Sequence, residues 1–170
     1  MKKLALLTLT LSFFLCTAQA KESDAGKHAV KNTSAHQLLP YSVDQALEGF
    51  AKTANGGIMQ IVAKPDSDSK QIKLMQQYLR QTAEEYGKGD FSSTERFHGT
   101  DMPGLAQMKA AKANAIRYEY KALQNGGQIV FSTEDPQLLN ALHAWITAQI
   151  KEHGNAVLSG HEQHHSAPAE

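Results

Sequence analysis

The sequence predicts an α+β fold: a four-stranded antiparallel sheet made from a ββα unit used twice, with two long helices on one face. Three observations predict it. An Asn-Gly-Gly reversal occurs at Asn55-Gly56-Gly57 and again at Asn125-Gly126-Gly127. Each reversal is flanked by segments rich in strand-forming residues, and each is followed by an apolar stripe with helical spacing.

Asn-Gly is a strong hairpin signal because a type I′ turn needs positive φ at both central residues. Residues 47–53 lead into the first turn, and Ile58-Met59-Gln60-Ile61-Val62-Ala63 leaves it as a strand. Pro65 and Asp66 then open a helix whose Ile72, Met75, Leu79, Ala83 and Tyr86 share one face, with Gly87 and Gly89 at its end. In the second copy Ile116, Tyr118, Tyr120 and Ala122 alternate with Arg117, Glu119 and Lys121, the pattern of a strand buried on one side. Ile129, Phe131 and Thr133 continue the covered face after the turn. Asp135 caps the next helix, Pro136 takes its first position, and Leu139, Leu142, Ile146 and Ile150 form its stripe before Gly154. Aligning the halves pairs Leu79 with Ile146, and Glu85-Tyr86-Gly87 with Glu152-His153-Gly154. Residues 91–114 form a linker, with a loop from His98 to Gly104 and a short helix through Leu105 and Met108.

The ends are of a different kind. Lys2 and Lys3, an apolar run over 4–15 and the small-residue site Ala18-Gln19-Ala20 predict a cleaved signal peptide over 1–20. The run is shorter than the ~20 residues that span a bilayer, so no membrane insertion is expected after cleavage. Cys16 follows Leu15 rather than the small residue that lipid attachment expects. Residues 21–38 read as a disordered leader, 39–157 as a single α+β domain and 158–170 as a disordered tail containing histidines. The protein is expected in the periplasm or secreted.

Losing Lys2 and Lys3 turns a balance of 17 basic and 17 acidic residues into 15 against 17. That slight excess of acid gives no electrostatic reason for a nucleic-acid partner. Cys16 is the only cysteine and leaves with the signal, so the mature chain has no disulfide, thiolate nucleophile or cysteine ligand.

Several clusters are familiar: Leu39-Pro40-Tyr41, Phe50, Gly56-Gly57, Gly89-Asp90-Phe91, His98-Gly99 with Met102-Pro103-Gly104-Leu105, Tyr118, Ala141-Leu142-His143-Ala144-Trp145, Ala148-Gln149 and His153-Gly154. On these residues the chain resembles a family of small exported bacterial proteins of unknown role, whose members often carry the automatic label aspartate carbamoyltransferase. The residues speak against that activity. Carbamoyl transfer needs a phosphate cradle and several arginines, and this chain has Arg80, Arg96 and Arg117 without a glycine-rich strand-to-helix turn. Glu48 and Tyr78 stand where the resembling proteins tend to carry histidines.

All eight histidines lie beyond the signal segment. His98, His143 and His153 fall in the expected domain, and His161, His164 and His165 in the tail; together they are the candidate metal ligands. Imidazole clusters of this kind take Zn²⁺, Cu²⁺ or Ni²⁺. His143 and His153 lie ten residues apart on one helix, about 15 Å along its axis, so they cannot share an ion. His98, in its loop beside Asp101, is therefore expected to pair with His143 in preference to His153. His28 and His36 lie in the leader. No Gly-x-Ser-x-Gly elbow or His-Glu-x-x-His helix occurs, so no catalytic residue is assigned. The sequence thus predicts an exported, non-catalytic binding protein with a transition metal as its small partner. The alternative is a protein-interaction or homodimer module that uses an edge strand or the surface around Trp145.

Overall fold

A computed structural model describes residues 38–154. The expectations for the signal segment, for the leader through residue 37 and for the tail from residue 158 lie outside the described residues. A 3-10 turn at Val43–Gln45 precedes β1 (Ala46–Thr53), β2 (Gly56–Ala63), α1 (Ser69–Gly87), α2 (Ser92–His98), α3 (Leu105–Ala110), β3 (Arg117–Leu123), β4 (Gly126–Ser132) and α4 (Pro136–His153). The fold is α+β, with one antiparallel sheet ordered β1-β2-β4-β3.

The two ββα units are related across the sheet centre. Met59 faces Ile129 there, flanked by Gly57 opposite Phe131 and Ile61 opposite Gly127. Each unit's second strand runs on to the other unit's turn: Ala63 N donates to Asn125 O (2.8 Å), and Thr133 N donates to Asn55 O (3.0 Å). The helices follow the same relation in crossed fashion. A Cβ on Gly57 would lie 2.1 Å from Cδ1 of Ile146, and one on Gly127 would lie 3.1 Å from Cδ1 of Leu79. Gly57 and Gly127 share a sheet face, so α1 and α4 lie on that same face, each above the hairpin of the opposite unit. Glycine is needed at these positions because the helices come down onto the strands, leaving no room for a side chain.

Local starts follow capping chemistry. Asp135 Oδ1 accepts the N–H groups of Gln137 (2.8 Å) and Leu138 (3.4 Å), with Pro136 first in the helix as expected. Helix α1 begins at Ser69, later than the Pro65-Asp66 start. Ser67 N turns back to Lys64 O (3.0 Å), and Asp68 is the residue that caps, accepting from Gln71 N at 2.9 Å.

Two expectations are corrected. The first part of the linker is helical: Asp90 Oδ1 accepts both the N–H (2.9 Å) and the hydroxyl (2.6 Å) of Ser92, which starts α2. His98 is consequently the last residue of a helix and not a loop residue. Trp145 is 1% exposed, in edge contact with Phe50 (5.9 Å) and Phe131 (5.6 Å), so the side chain belongs to the core and is not itself a rim contact for a partner. It is buried because α4 is covered on its flank as well as by the sheet. Gly104, at φ +80°, sits so close to α4 that a Cβ there would lie 1.9 Å from the Ala141 carbonyl oxygen. The buried face of α4 accordingly runs through Leu138, Leu142, Trp145, Ile146 and Gln149, shifted from the stripe that contains Leu139. Among the described residues no helix is long and apolar enough to cross a membrane.

Candidate metal centre

Two helices end side by side with the same dipeptide. His98 closes α2 and is followed by Gly99 at φ +82°, whose N–H returns to Glu95 O (2.8 Å). His153 closes α4 and is followed by Gly154 at φ +75°, whose N–H returns to Ile150 O (2.9 Å). Glycine permits the positive φ that stops each helix there. Both imidazoles thus sit at the negative end of a helix, where a cation is stabilised.

The linker that carries His98 is held at several points. Tyr86 and Thr94 hydroxyls meet at 2.5 Å, Phe91 stacks on Tyr86 with centroids 4.6 Å apart, and Lys109 of α3 is paired with Glu95 of α2. These contacts place α2 against the C-terminal turn of α4.

In the site itself each ring is held by a carboxylate on its Nδ1 side. His98 Nδ1 lies 2.6 Å from Glu152 Oε2, and His153 Nδ1 lies 3.4 Å from Glu48 Oε2 on β1. A carboxylate in this place can accept from a protonated Nδ1. The two Nε2 atoms approach one another at 3.4 Å, with the ring planes at 81°. Two nitrogens bound at about 2.0–2.1 Å to a tetrahedral Zn²⁺ are themselves roughly 3.3–3.4 Å apart. The spacing fits one ion shared by both rings. A carboxylate behind each imidazole is also the usual support of metal-bound histidine. His98, Glu152 and His153 offer donor atoms within 4.8 Å of one another, a group that could hold a metal ion.

Burial within the sheet–helix layer pushes the Glu48 carboxyl above its ordinary range, while His153 pulls it back down. That half-buried acid is not demanded by the fold. Its counterpart in the second unit is Tyr118, since Glu48 faces Ile61 as Tyr118 faces Phe131. The counterpart of His153 is Tyr86. Tyr86 and Tyr118 pack edge to face at 5.6 Å. One architecture therefore carries an aromatic cluster in one unit and a histidine–carboxylate cluster in the other.

His143 is engaged elsewhere. Its Nε2 donates to the carbonyls of Thr53 (3.1 Å) and Gly56 (3.0 Å), clasping the first hairpin turn. The expected pairing of His98 with His143 is thus corrected: His98 meets His153, because α2 and α4 end together. Asp101, expected beside His98, accepts instead from Thr100 (3.4 Å). Sequence reasoning missed Glu48 and Glu152 as the partners of the rings. The repeated His-Gly at two helix ends was the available signal. His161, His164 and His165 lie outside the described residues.

The fold and the site define an α+β domain of two crossed ββα units with a histidine–carboxylate cluster at a meeting of helix ends. No family model matches the chain, and neither a curated protein nor a solved structure shows significant similarity to it.

Proposed function

We propose that this is an exported, non-catalytic binding protein that holds a transition metal ion between His98 and His153. The observation that carries the reading is the opposition of two Nε2 atoms at 3.4 Å, each ring fixed from behind by a carboxylate. Zn²⁺, Cu²⁺ and Ni²⁺ suit imidazole donors. The placement outside the cytoplasm follows from the signal-like first twenty residues, in keeping with the resemblance to small exported proteins.

Equilibrium dialysis of the mature protein against each ion tests this. One ion per chain is expected, with affinity lowered at least tenfold by His98→Ala or His153→Ala and unchanged by His143→Ala. Unaltered binding by the first two variants rejects the site. Loss with His143→Ala alone rejects the assignment of that residue to the hairpin.

A further inference from the structure

The sheet has two outer strands, β1 and β3, that pair with no further strand among the described residues, and the two are finished differently. On β3 the face turned away from the helices carries Arg117, Glu119 and Lys121, all exposed, with Lys121 Nζ 3.6 Å from Glu119 Oε1. Charges placed this way blunt an edge against further pairing. On β1 the same face carries Leu47, Gly49, Ala51 and Thr53, none of them charged. β1 also has no proline, and no bulge interrupts its eight-residue register with β2. Its charges lie on the helix-covered face: Glu48 beside the His153 ring, and Lys52, which is exposed and joins no ion pair among the described residues.

We infer that β1 is a docking edge for a second copy of this chain, the two β1 strands pairing antiparallel about a two-fold axis with Lys52 of each copy opposite Glu48 of the other. Backbone direction and charge together select that register. Ala63 N points to Asn125 O and Lys64 N to Gln45 O, so backbone groups along β2 alternate between the β4 side and the β1 side. Carried across the register with β1, this turns the groups of Leu47, Gly49, Ala51 and Thr53 toward β2 and those of Glu48 and Lys52 outward. Outward residues must meet one another across the seam, because their N–H and C=O groups make its ladder. Registers centred on Glu48 or on Lys52 set that residue against its own copy and oppose like charges. The register midway between them sets Glu48 against Lys52 twice, once on each side of the axis. Opposite charges at cross-strand positions stabilise a pair, and like charges cost a similar amount. In the same register Leu47 meets Thr53 and Gly49 meets Ala51, so no charge and no bulky pair crowds the open face of the seam. Oε2 of Glu48 faces His153, and its other oxygen can accept the incoming ammonium. The product is one sheet of eight strands with the helices of both copies on one face. It is a closed pair whose remaining edges are the two charged β3 strands, and it forms with or without a bound ion.

Sedimentation equilibrium of the mature protein in chelator, at loadings from about 1 μM to about 1 mM, tests this. A single strand pair buries less than the roughly 1,600 Å² of a standard interface, so a dimer with Kd on the order of 10–100 μM is expected. Lys52→Glu replaces two attractions by two repulsions and should raise that Kd at least about tenfold. Lys52→Arg should keep it within about threefold, and Lys121→Glu on β3 should leave it unchanged. Lys52 and Lys121 are both exposed, so a failure to fold does not confuse the outcome. Amide exchange followed by NMR gives a second reading. The Glu48 and Lys52 amides should exchange more slowly as protein concentration rises, while those of Tyr118 and Ala122, their counterparts on β3, should not. A monomer throughout the range, an unaltered Kd in Lys52→Glu, or a Kd raised by Lys121→Glu instead overturns the inference. Species larger than the dimer would mean that β1 of one copy meets β3 of the next. A dimer seen only with Zn²⁺ would mean that an ion bridges the copies. Either result also overturns it.

Discussion

Replacing Glu48 and His153 together should make the metal-free protein more stable while abolishing metal binding. The perturbation is Glu48→Met with His153→Phe, which gives the first-strand site the apolar character that Tyr86 and Tyr118 have in the other unit. Glu48 is half-buried and its charge is opposed by that burial, with His153 as the partial remedy. Apolar replacement of buried ion pairs yields up to about 1–4 kcal/mol. The Glu48 and His153 side chains are 27% and 33% exposed, so solvent screening puts this pair at the low end, about 1 kcal/mol. For a domain of this size that corresponds to a rise in Tm of roughly 3–6 °C. The single substitutions should behave oppositely. His153→Phe alone leaves Glu48 in its layer without the imidazole, at a cost of roughly 1–2 kcal/mol. Urea unfolding of the four proteins in chelator closes the double-mutant cycle. A double variant clearly less stable than the unaltered protein would refute the reasoning, because the pair would then be a structural clasp of β1 to α4.

Two further outcomes follow from the packing. Gly104→Ala should cost at least about 2 kcal/mol more than Gly99→Ala: both have positive φ, but only the Gly104 Cβ meets backbone that cannot give way. Equal losses in chemical denaturation would show that α3 does not press on α4 as described. The protein should also lose stability as pH rises from about 10 toward 12. Burial pushes Tyr86 up to about 12 against a pull down by its hydrogen bond to Thr94, and burial raises Tyr41, Tyr78 and Tyr118 as well. In that window the folded state keeps protons that the unfolded chain sheds near pH 10, so stability falls with rising pH, by roughly 3 kcal/mol for Tyr86 alone. Denaturant midpoints at successive pH values should decline less steeply in Tyr86→Phe; identical slopes would contradict the assignment.

The sheet was legible because its signals are local. Asn-Gly turns, the alternation of Tyr118 and Tyr120 with charged neighbours, and the Asp135-Pro136 cap each act over a few residues. Even the pairing of Leu79 with Ile146 survived, since both positions lie over a glycine. The site was half legible. His98 and His153 were singled out, but their meeting depends on where α2 ends, and α2 owes its start to the Asp90–Ser92 turn at the head of a segment read only as linker. Glu48 and Glu152 read as ordinary strand and helix carboxylates, because nothing within a few residues of either reveals the ring it faces. Trp145 was misread for the same reason: Gly104, which draws cover over that flank of α4, lies more than thirty residues away in the chain.

The crossing of the two helices has a consequence for how the molecule could be divided. Since α1 packs mainly on the strands of the later unit and α4 on those of the earlier one, each half leaves much of its own sheet to be covered by the other's helix. Severed within the linker, the two pieces should each be incompetent alone yet reassemble when mixed, as an obligate couple. A contemporary chain that behaves this way preserves the interface of a symmetric pair within a single polypeptide.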